Sequence, residues 1–341
     1  MSNMQIGLAV AGGVVLAAVV AHGAWASRKN APRQALTDDA RLMPPSSGVE
    51  PSLNDTAFDA GDFSVPEKKP LLDVLIDVIA PIALETAVSG DAALVAMPTT
   101  RRAGSKPFAI EGFNAATQYW EMPHAGQRYS AFQAGVQLAN RSGPLNEIEY
   151  SEFVMKAQAF ADAINGEPEF PEMLEEVARA RELDQFASGH DAQLDFTLRA
   201  RQAAWSPGYV QQNAARLGFV AGVLPGRMVL PASAAGMPTV LGLAFDTQAA
   251  LAEDPAQSAI RELTLSLDVA QVDRGERPFV RMREAALALA QTMDGVLTDD
   301  AGRPLTAQAM DVIAEELELI YDTLDARDLS AGSVLARRLF S

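Results

Sequence analysis

The chain has 341 residues and no cysteine, so disulfides, thiolate metal sites and cysteine nucleophiles are excluded together. Its 44 acidic side chains outnumber 27 basic ones for a net charge of -17, which argues against a nucleic-acid partner, because that binding needs a basic surface. With 48% hydrophobic and 21% charged residues, it has the composition of a globular protein long enough for two domains.

In chain order, residues 6–25 come first as a run without formal charge, rich in Ala, Val, Leu and Gly. A helix of that length rises about 30 Å, the thickness of a hydrocarbon core, so a transmembrane helix is predicted over 6–26, with the lipid bilayer as its partner. Residues 1–5 hold no Lys or Arg, whereas Arg28, Lys29 and Arg33 follow the run at once. The positive-inside rule then places residues 1–5 outside and the body in the cytoplasm. A cleaved signal peptide is the competing reading, with Ala24, Trp25 and Ala26 as its small-residue site, but signal peptides carry their charge before the apolar run. His22, beside Trp25, marks the headgroup boundary.

Residues 27–69 read as a disordered linker. From residue 30 onward they show no helical or strand period and carry Pro32, Pro44, Pro45, Pro51 and Pro66 among Ser, Asp and Gly. Such a tether of about forty residues spans roughly 35 Å as a random coil.

Residues 70–191 and 192–330 are predicted to be two α+β units built on one pattern. Strand-like runs at 71–79 and 194–201 open them, and runs at 129–140 and 261–272 follow. Each later strand leads into two helical segments, at 151–164 and 171–186 in the first unit and at 283–293 and 307–324 in the second. The stretches KAQAFADAING and ALAQTMDGVL are alike, each ending at a turn, so a duplicated unit is the economical reading. In the second unit Ser206 and Pro207 signal a helix start and Gly218 a stop. Strands are expected at 227–230, 239–245 and 262–270. In the last of these Leu263, Leu265, Leu267 and Val269 alternate with Thr264, Ser266 and Asp268. Period two with one apolar face predicts a sheet covered by helices on one side only. Thr306 is placed to cap the last long helix, whose Met310, Ile313, Leu317 and Ile320 form a core-facing stripe. Glu315, Glu316 and Glu318 read as a solvated face. Residues 331–341 form a tail that docks or frays.

Chemistry-bearing patterns are missing from the sequence. Phosphate-binding glycine loops, nucleophile elbows and HExxH spacing do not occur, and Asp299 with Asp300 lacks the further ligands of a calcium loop. No catalytic residue, no metal site and no cofactor is therefore expected.

The stretch HGAWASRK at 22–29, closing an N-out membrane helix, and GVLTDDAGRPLTAQAM at 295–310 resemble the ZipA family of bacterial cell-division proteins, which tie the tubulin-like GTPase FtsZ to the inner membrane. The likeness to that family's C-terminal domain runs over residues 194–324. It implies a split β-α-β domain with an antiparallel sheet, whose open face receives the C-terminal tail of FtsZ. Alternation puts Thr197, Arg199, Val229, Ala244, Thr264 and Ser266 on that face and Phe196, Leu198, Leu243, Phe245 and Leu265 in the core; a one-residue slip would exchange the sets. The family's groove is largely apolar, whereas this one is expected to be more polar, with Arg199 and Arg201 meeting acidic residues of the tail. The linker is shorter than the family's, and residues 70–191 have no counterpart there except as a duplicate.

The resemblance thus implies a non-enzymatic, single-pass inner-membrane protein with a periplasmic N-terminus, whose cytoplasmic body tethers the FtsZ ring. The competing readings are a signal-anchored periplasmic enzyme or envelope factor, and a membrane-anchored cytoplasmic scaffold for another partner.

Overall fold

The computed structural model describes residues 32–34 and 71–341, apart from residues 235, 253, 255–257 and 300. The expected membrane helix over 6–26, together with Arg28, Lys29 and nearly all of the linker, lies outside the described residues. Among those described, no helix is long and apolar enough to cross a membrane. The chain divides into two compact units of mixed helix and antiparallel sheet. One comprises residues 71–191 with Val334–Ser341, the other residues 32–34 with Ala192–Ser333.

The first unit opens differently from the expected strand at 71–79. Residues 71–76 are a turn: the Asp73 carboxylate accepts the Leu75 amide at 2.9 Å, and the Asp73 carbonyl accepts the amides of Ile76 and Asp77 at 3.1 and 2.9 Å. An aspartate two residues before the amide it accepts from competes with the ladder in this way even within an apolar run. The strand β1 therefore starts later, at Asp77–Ser89, and is followed by helix α1 at Gly90–Ala96. Strands β2 (Arg102–Ala103), β3 (Lys106–Asn114), β4 (Trp120–Glu121) and β5 (Arg128–Gln137) come next. A short ribbon of β6 (Ala139–Asn140) and β7 (Gly143–Pro144) precedes helix α2 (Glu147–Ala163). Strand β8 (Gly166–Pro168) and helix α3 (Met173–His190) complete the body. The sheet runs β2-β3-β5-β1-β8, with β4 also on β3. One face packs on α2, where Phe153 meets Phe108 at 6.0 Å between ring centroids and Phe160 meets Phe132 edge-on at 5.3 Å. Helix α2 starts four residues earlier than its apolar period suggests because Asn146 and Glu149 form a capping box.

In the second unit, β9 (Gln193–Ala200) leads to helix α4 (Pro207–Ala215), whose Tyr209 amide is capped by the Ser206 hydroxyl at 3.2 Å. Strands β10 (Val220–Ala221), β11 (Arg227–Leu230) and β12 (Leu241–Phe245) follow, then helix α5 (Thr247–Leu251) and β13 (Glu262–Asp268). Helix α6 (Pro278–Met293), β14 (Gly295–Thr298) and helix α7 (Ala307–Asp325) close the unit. The sheet order is β10-β11-β12-β13-β9-β14. Phe279 of α6 stands edge-on to Phe196, and Phe196, Leu198, Leu243, Leu263 and Leu265 are buried beneath the helices. Past Asp268 the alternating strand gives way to a 3-10 turn at Val269–Gln271. Thr306 caps α7 through the Ala309 amide at 3.1 Å, and Glu315, Glu316 and Glu318 are exposed.

Strand for strand, β11-β12-β13-β9-β14 repeats the order β2-β3-β5-β1-β8. The likeness extends to one junction. Past the end of α2 come Asn165 (φ 52°) and Gly166, and past the end of α6 come Asp294 (φ 54°) and Gly295. Both non-glycine residues are left-handed, which reverses the chain into the edge strand. Both glycines lie against the strand that opens the unit. A Cβ on Gly166 would meet Ile82 at 2.7 Å, and one on Gly295 would meet Leu198 at 2.6 Å. Ile82 and Leu198 occupy the same ladder position, each paired two residues before the strand residue opposite that glycine.

Tyr321 of α7 is buried, its hydroxyl has no hydrogen-bond partner among the described residues, and the Arg274 guanidinium lies 5.5 Å from its ring centroid. Burial pushes this phenol well above its ordinary value. Tyr321→Phe removes the orphaned hydroxyl and is expected to stabilise the second unit by about 1 kcal/mol. The folded state keeps this proton where the unfolded chain loses it, so wild-type stability should fall as pH rises past about 10. Urea titrations at neutral and alkaline pH test both points, and in the variant that part of the alkaline loss should be gone.

Candidate protein-docking face

The face of the second sheet turned away from α6 is built by strict alternation. In one row across the strands stand Arg227, Ala244, Thr264, Thr197 and Thr298; in the next stand Val229, Gly242, Ser266 and Asp195. Arg199 lies in register with Glu262 on one side and Val296 on the other. Thr197, Val229, Ala244, Thr264 and Ser266 are half-buried, as strand side chains on an uncovered sheet are, and Arg199 is exposed. Arg201 departs from this row. Strand β9 ends at Ala200, and the Arg201 backbone amide turns to the Asp294 carbonyl at 3.1 Å while its guanidinium rests on the Gly295 carbonyl at 3.4 Å. It stands at the rim of the face rather than on it.

A depression of about 680 Å³ opens on this side, lined among others by Asp195, Arg227, Asp246, Arg261, Thr264 and Ser266. Beside it, Gly242 leaves room for the Ser266 hydroxyl, from which a Cβ would lie only 2.4 Å. Charge in the neighbourhood is mixed. The Arg199 guanidinium has Glu262 at 3.4 Å, with both side chains at least half exposed. Such a pair is worth little by itself and exchanges readily for a better partner. Beyond β14, Asp299 closes a turn on the Arg303 amide at 2.7 Å, which together with the Arg303 guanidinium holds that carboxyl below its usual range. The face offers hydroxyls, unpaired sheet surface and two exposed arginines, Arg199 and Arg227. It can hold an extended peptide, and its side chains form no acid-base or nucleophilic constellation.

The first unit's equivalent face is covered at one end by its own chain, while Pro81 and Ala83 at the other end are exposed. Gln133, Gly135 and Gln137 on β5 stand where Thr264, Ser266 and Asp268 stand on β13. Glu111 accepts a hydrogen bond from Gln133 at 2.8 Å and another from the Leu71 amide, and it is buried. Leu72 lies over Gly135, so near that a Cβ there would come within 2.5 Å of its methyl carbon. At the end of the face the terminal helix α8 (Val334–Leu339) docks. Arg338 reaches Asp77 with both terminal nitrogens, at 2.5 and 3.0 Å, and the Gln137 amide donates to the Arg338 carbonyl at 2.8 Å. Burial pushes the Asp77 carboxyl above its ordinary range, against the opposing pull of Arg338. The expected tail at 331–341 is thus divided: residues 331–333 stay with the second unit and Val334–Ser341 build into the first.

Arg33, expected to set topology, is engaged with the second unit. Its amide donates to the Ala204 carbonyl at 2.7 Å, its carbonyl accepts the Ser206 amide at 2.9 Å, and its guanidinium pairs with Asp294 at 2.9 Å. Among the described residues no cluster of His, Asp and Glu is arranged to hold a metal ion.

A family model described as ZipA, C-terminal FtsZ-binding domain, matches residues 251–316. The matched stretch includes β13, α6 and β14 and enters α7, and it contains the 295–310 segment on which the resemblance was drawn; that resemblance is borne out. No curated protein matches the chain.

Proposed function

We propose that this protein is a non-enzymatic cell-division protein that binds the C-terminal tail of FtsZ on the open sheet face of its second unit and tethers the division ring to the cytoplasmic side of the inner membrane. The observation that carries the reading is the coincidence of two things in one unit: the stretch that matches an FtsZ-binding domain and an open sheet face, where the first unit's equivalent face is covered at one end by Leu71, Leu72 and Arg338. Thr197, Arg199, Val229, Ala244, Thr264 and Ser266 are the contact residues, with Arg201 at the rim. The tail is bound by hydrogen bonds and ion pairs more than by apolar burial, so affinity should weaken with salt. The membrane part rests on the apolar run at 6–25 and on Arg28 and Lys29 after it. It places the N-terminus in the periplasm and the chain's body in the cytoplasm. The common strand order and the matched Asn165-Gly166 and Asp294-Gly295 junctions support descent of both units from one α+β ancestor, with the first now covered at one end of its face.

Titration of a tail peptide against the full chain tests the binding. Thr264→Glu puts a carboxylate in the middle of the row and is expected to weaken an acidic tail about tenfold or more, close to 1.4 kcal/mol, without loss of fold. Arg199→Glu should do the same and flatten the salt dependence. Unchanged affinity in both variants, with the melting transition intact, would place the tail elsewhere.

A further inference from the structure

The contacts of Arg33 bear on where the chain is first fixed after the proposed membrane span, and the inference rests on reading the apolar run at 6–25 as that span. Arg33 follows Trp25 by eight positions, with residues 26–32 between them. Its main chain adds to the second unit beside Trp205 as a parallel bridge, and Trp205 in turn pairs with Ile260. Two backbone hydrogen bonds and the Asp294 ion pair hold it, and Trp205, fully buried, anchors the other side through its indole nitrogen, which donates to the Met293 carbonyl at 2.8 Å. Asp294 is itself pinned in the left-handed conformation between α6 and β14, so its carboxylate belongs to the framework of the unit and not to a free loop.

We propose that Arg33 is a docking residue that fixes the second unit next to the bilayer on a leash of seven residues, and that the forty-residue linker does not set its distance from the membrane. Seven extended residues reach at most about 25 Å, and as a coil their span is about 15 Å. Residues 35–70 then form a connection between two folded segments, Arg33 on one unit and Leu71 on the other. The unit with the open face then stays at the membrane whatever the length of residues 35–70, because the two units are also joined directly at Asp191–Ala192 and Ser333–Val334.

Because the chain is free of cysteine, one introduced cysteine takes a single dye. The full-length protein carrying Val223→Cys, a fully exposed site in the second unit, is labelled and placed in vesicles containing an acceptor lipid. Two insertions of about 24 Gly/Ser residues are compared, one after Ser27 and one after Gly48; the first lengthens the leash to a span of about 30 Å, the second leaves it alone. Energy transfer to the bilayer should fall about twofold for the early insertion and stay at the parental value for the late one. Arg33→Pro, which removes the amide that Ala204 accepts, should make the late insertion behave like the early one. Equal losses from both insertions, in protein that still floats with the vesicles after an alkaline wash, would overturn this proposal alone. Loss of flotation would overturn the membrane reading and this proposal with it.

Discussion

Replacing Arg338 with leucine is expected to cost the first unit about 3–5 kcal/mol, because the buried Asp77 carboxylate is left without its counter-charge. Ordinary exposed ion pairs in this chain, such as Arg181 with Glu147, should contribute less than about 1 kcal/mol by comparison. One further group loses a partner in the same variant, the Leu71 carbonyl, to which the guanidinium also donates, whereas the Gln137 amide keeps the backbone carbonyl of residue 338. Adding Asp77→Asn should recover much of the loss by removing the charge while keeping an acceptor for the Asp73 amide. The sign of the pH dependence follows from the direction of the Asp77 shift. A carboxyl whose folded value lies above its unfolded value holds its proton more tightly when folded, so the deficit of the single variant should be smaller at about pH 5 than at pH 7. Amide exchange read separately over β1 and β5 checks this. Protection unchanged in both strands would mean that the terminal helix does not hold the first unit together.

Trp205→Ala is expected to destabilise the second unit by about 3–5 kcal/mol. The indole is completely buried and its nitrogen serves the Met293 carbonyl at the end of α6, so truncation leaves both a cavity and an unpaired buried acceptor. Trp205→Phe retains most of the volume and loses only the hydrogen bond, for an expected cost of about 1–3 kcal/mol. The main chain on either side, paired with Ile260 and Arg33, is untouched by either change. Denaturant midpoints of the two variants should therefore be well separated, and coincident midpoints would show that the ring is not packed as described.

Much of the second unit could be read from its residues. Leu263, Leu265 and Leu267 alternate with Thr264, Ser266 and Asp268 over enough residues for the period to set which side is core, and the hydroxyls of Ser206 and Thr306 announce helices that begin one residue later. Parity along a strand also gave the composition of the open face, except at Arg201, where the strand had already ended. The apolar content of 71–76 points to a strand, but a single aspartate whose side chain captures a nearby amide outweighs it. The covering of one end of the first unit's face left no local signal. Its cover comes from Leu72 and from Arg338, the latter 261 positions from the Asp77 it pairs with, and no window along the sequence holds both. Arg33 was invisible for a related reason: one bridged residue held by backbone atoms has no period, and its charge was already accounted for by the membrane flank.

The division of the chain, with Val334–Ser341 belonging to the unit that residues 71–191 begin, also has a meaning in time. During synthesis the body of the first unit leaves the ribosome while the helix that neutralises Asp77 is still some 143 codons from translation, counted from residue 191 to residue 334. At about 5–20 residues per second that interval is roughly 7–30 s, far longer than a domain of this size takes to collapse. For that period the nascent first unit must wait with an uncompensated carboxylate and a partly uncovered sheet, a natural client for a chaperone. A premature stop at codon 334 would make the wait permanent, sparing the unit that carries the open face and condemning the one that was translated first.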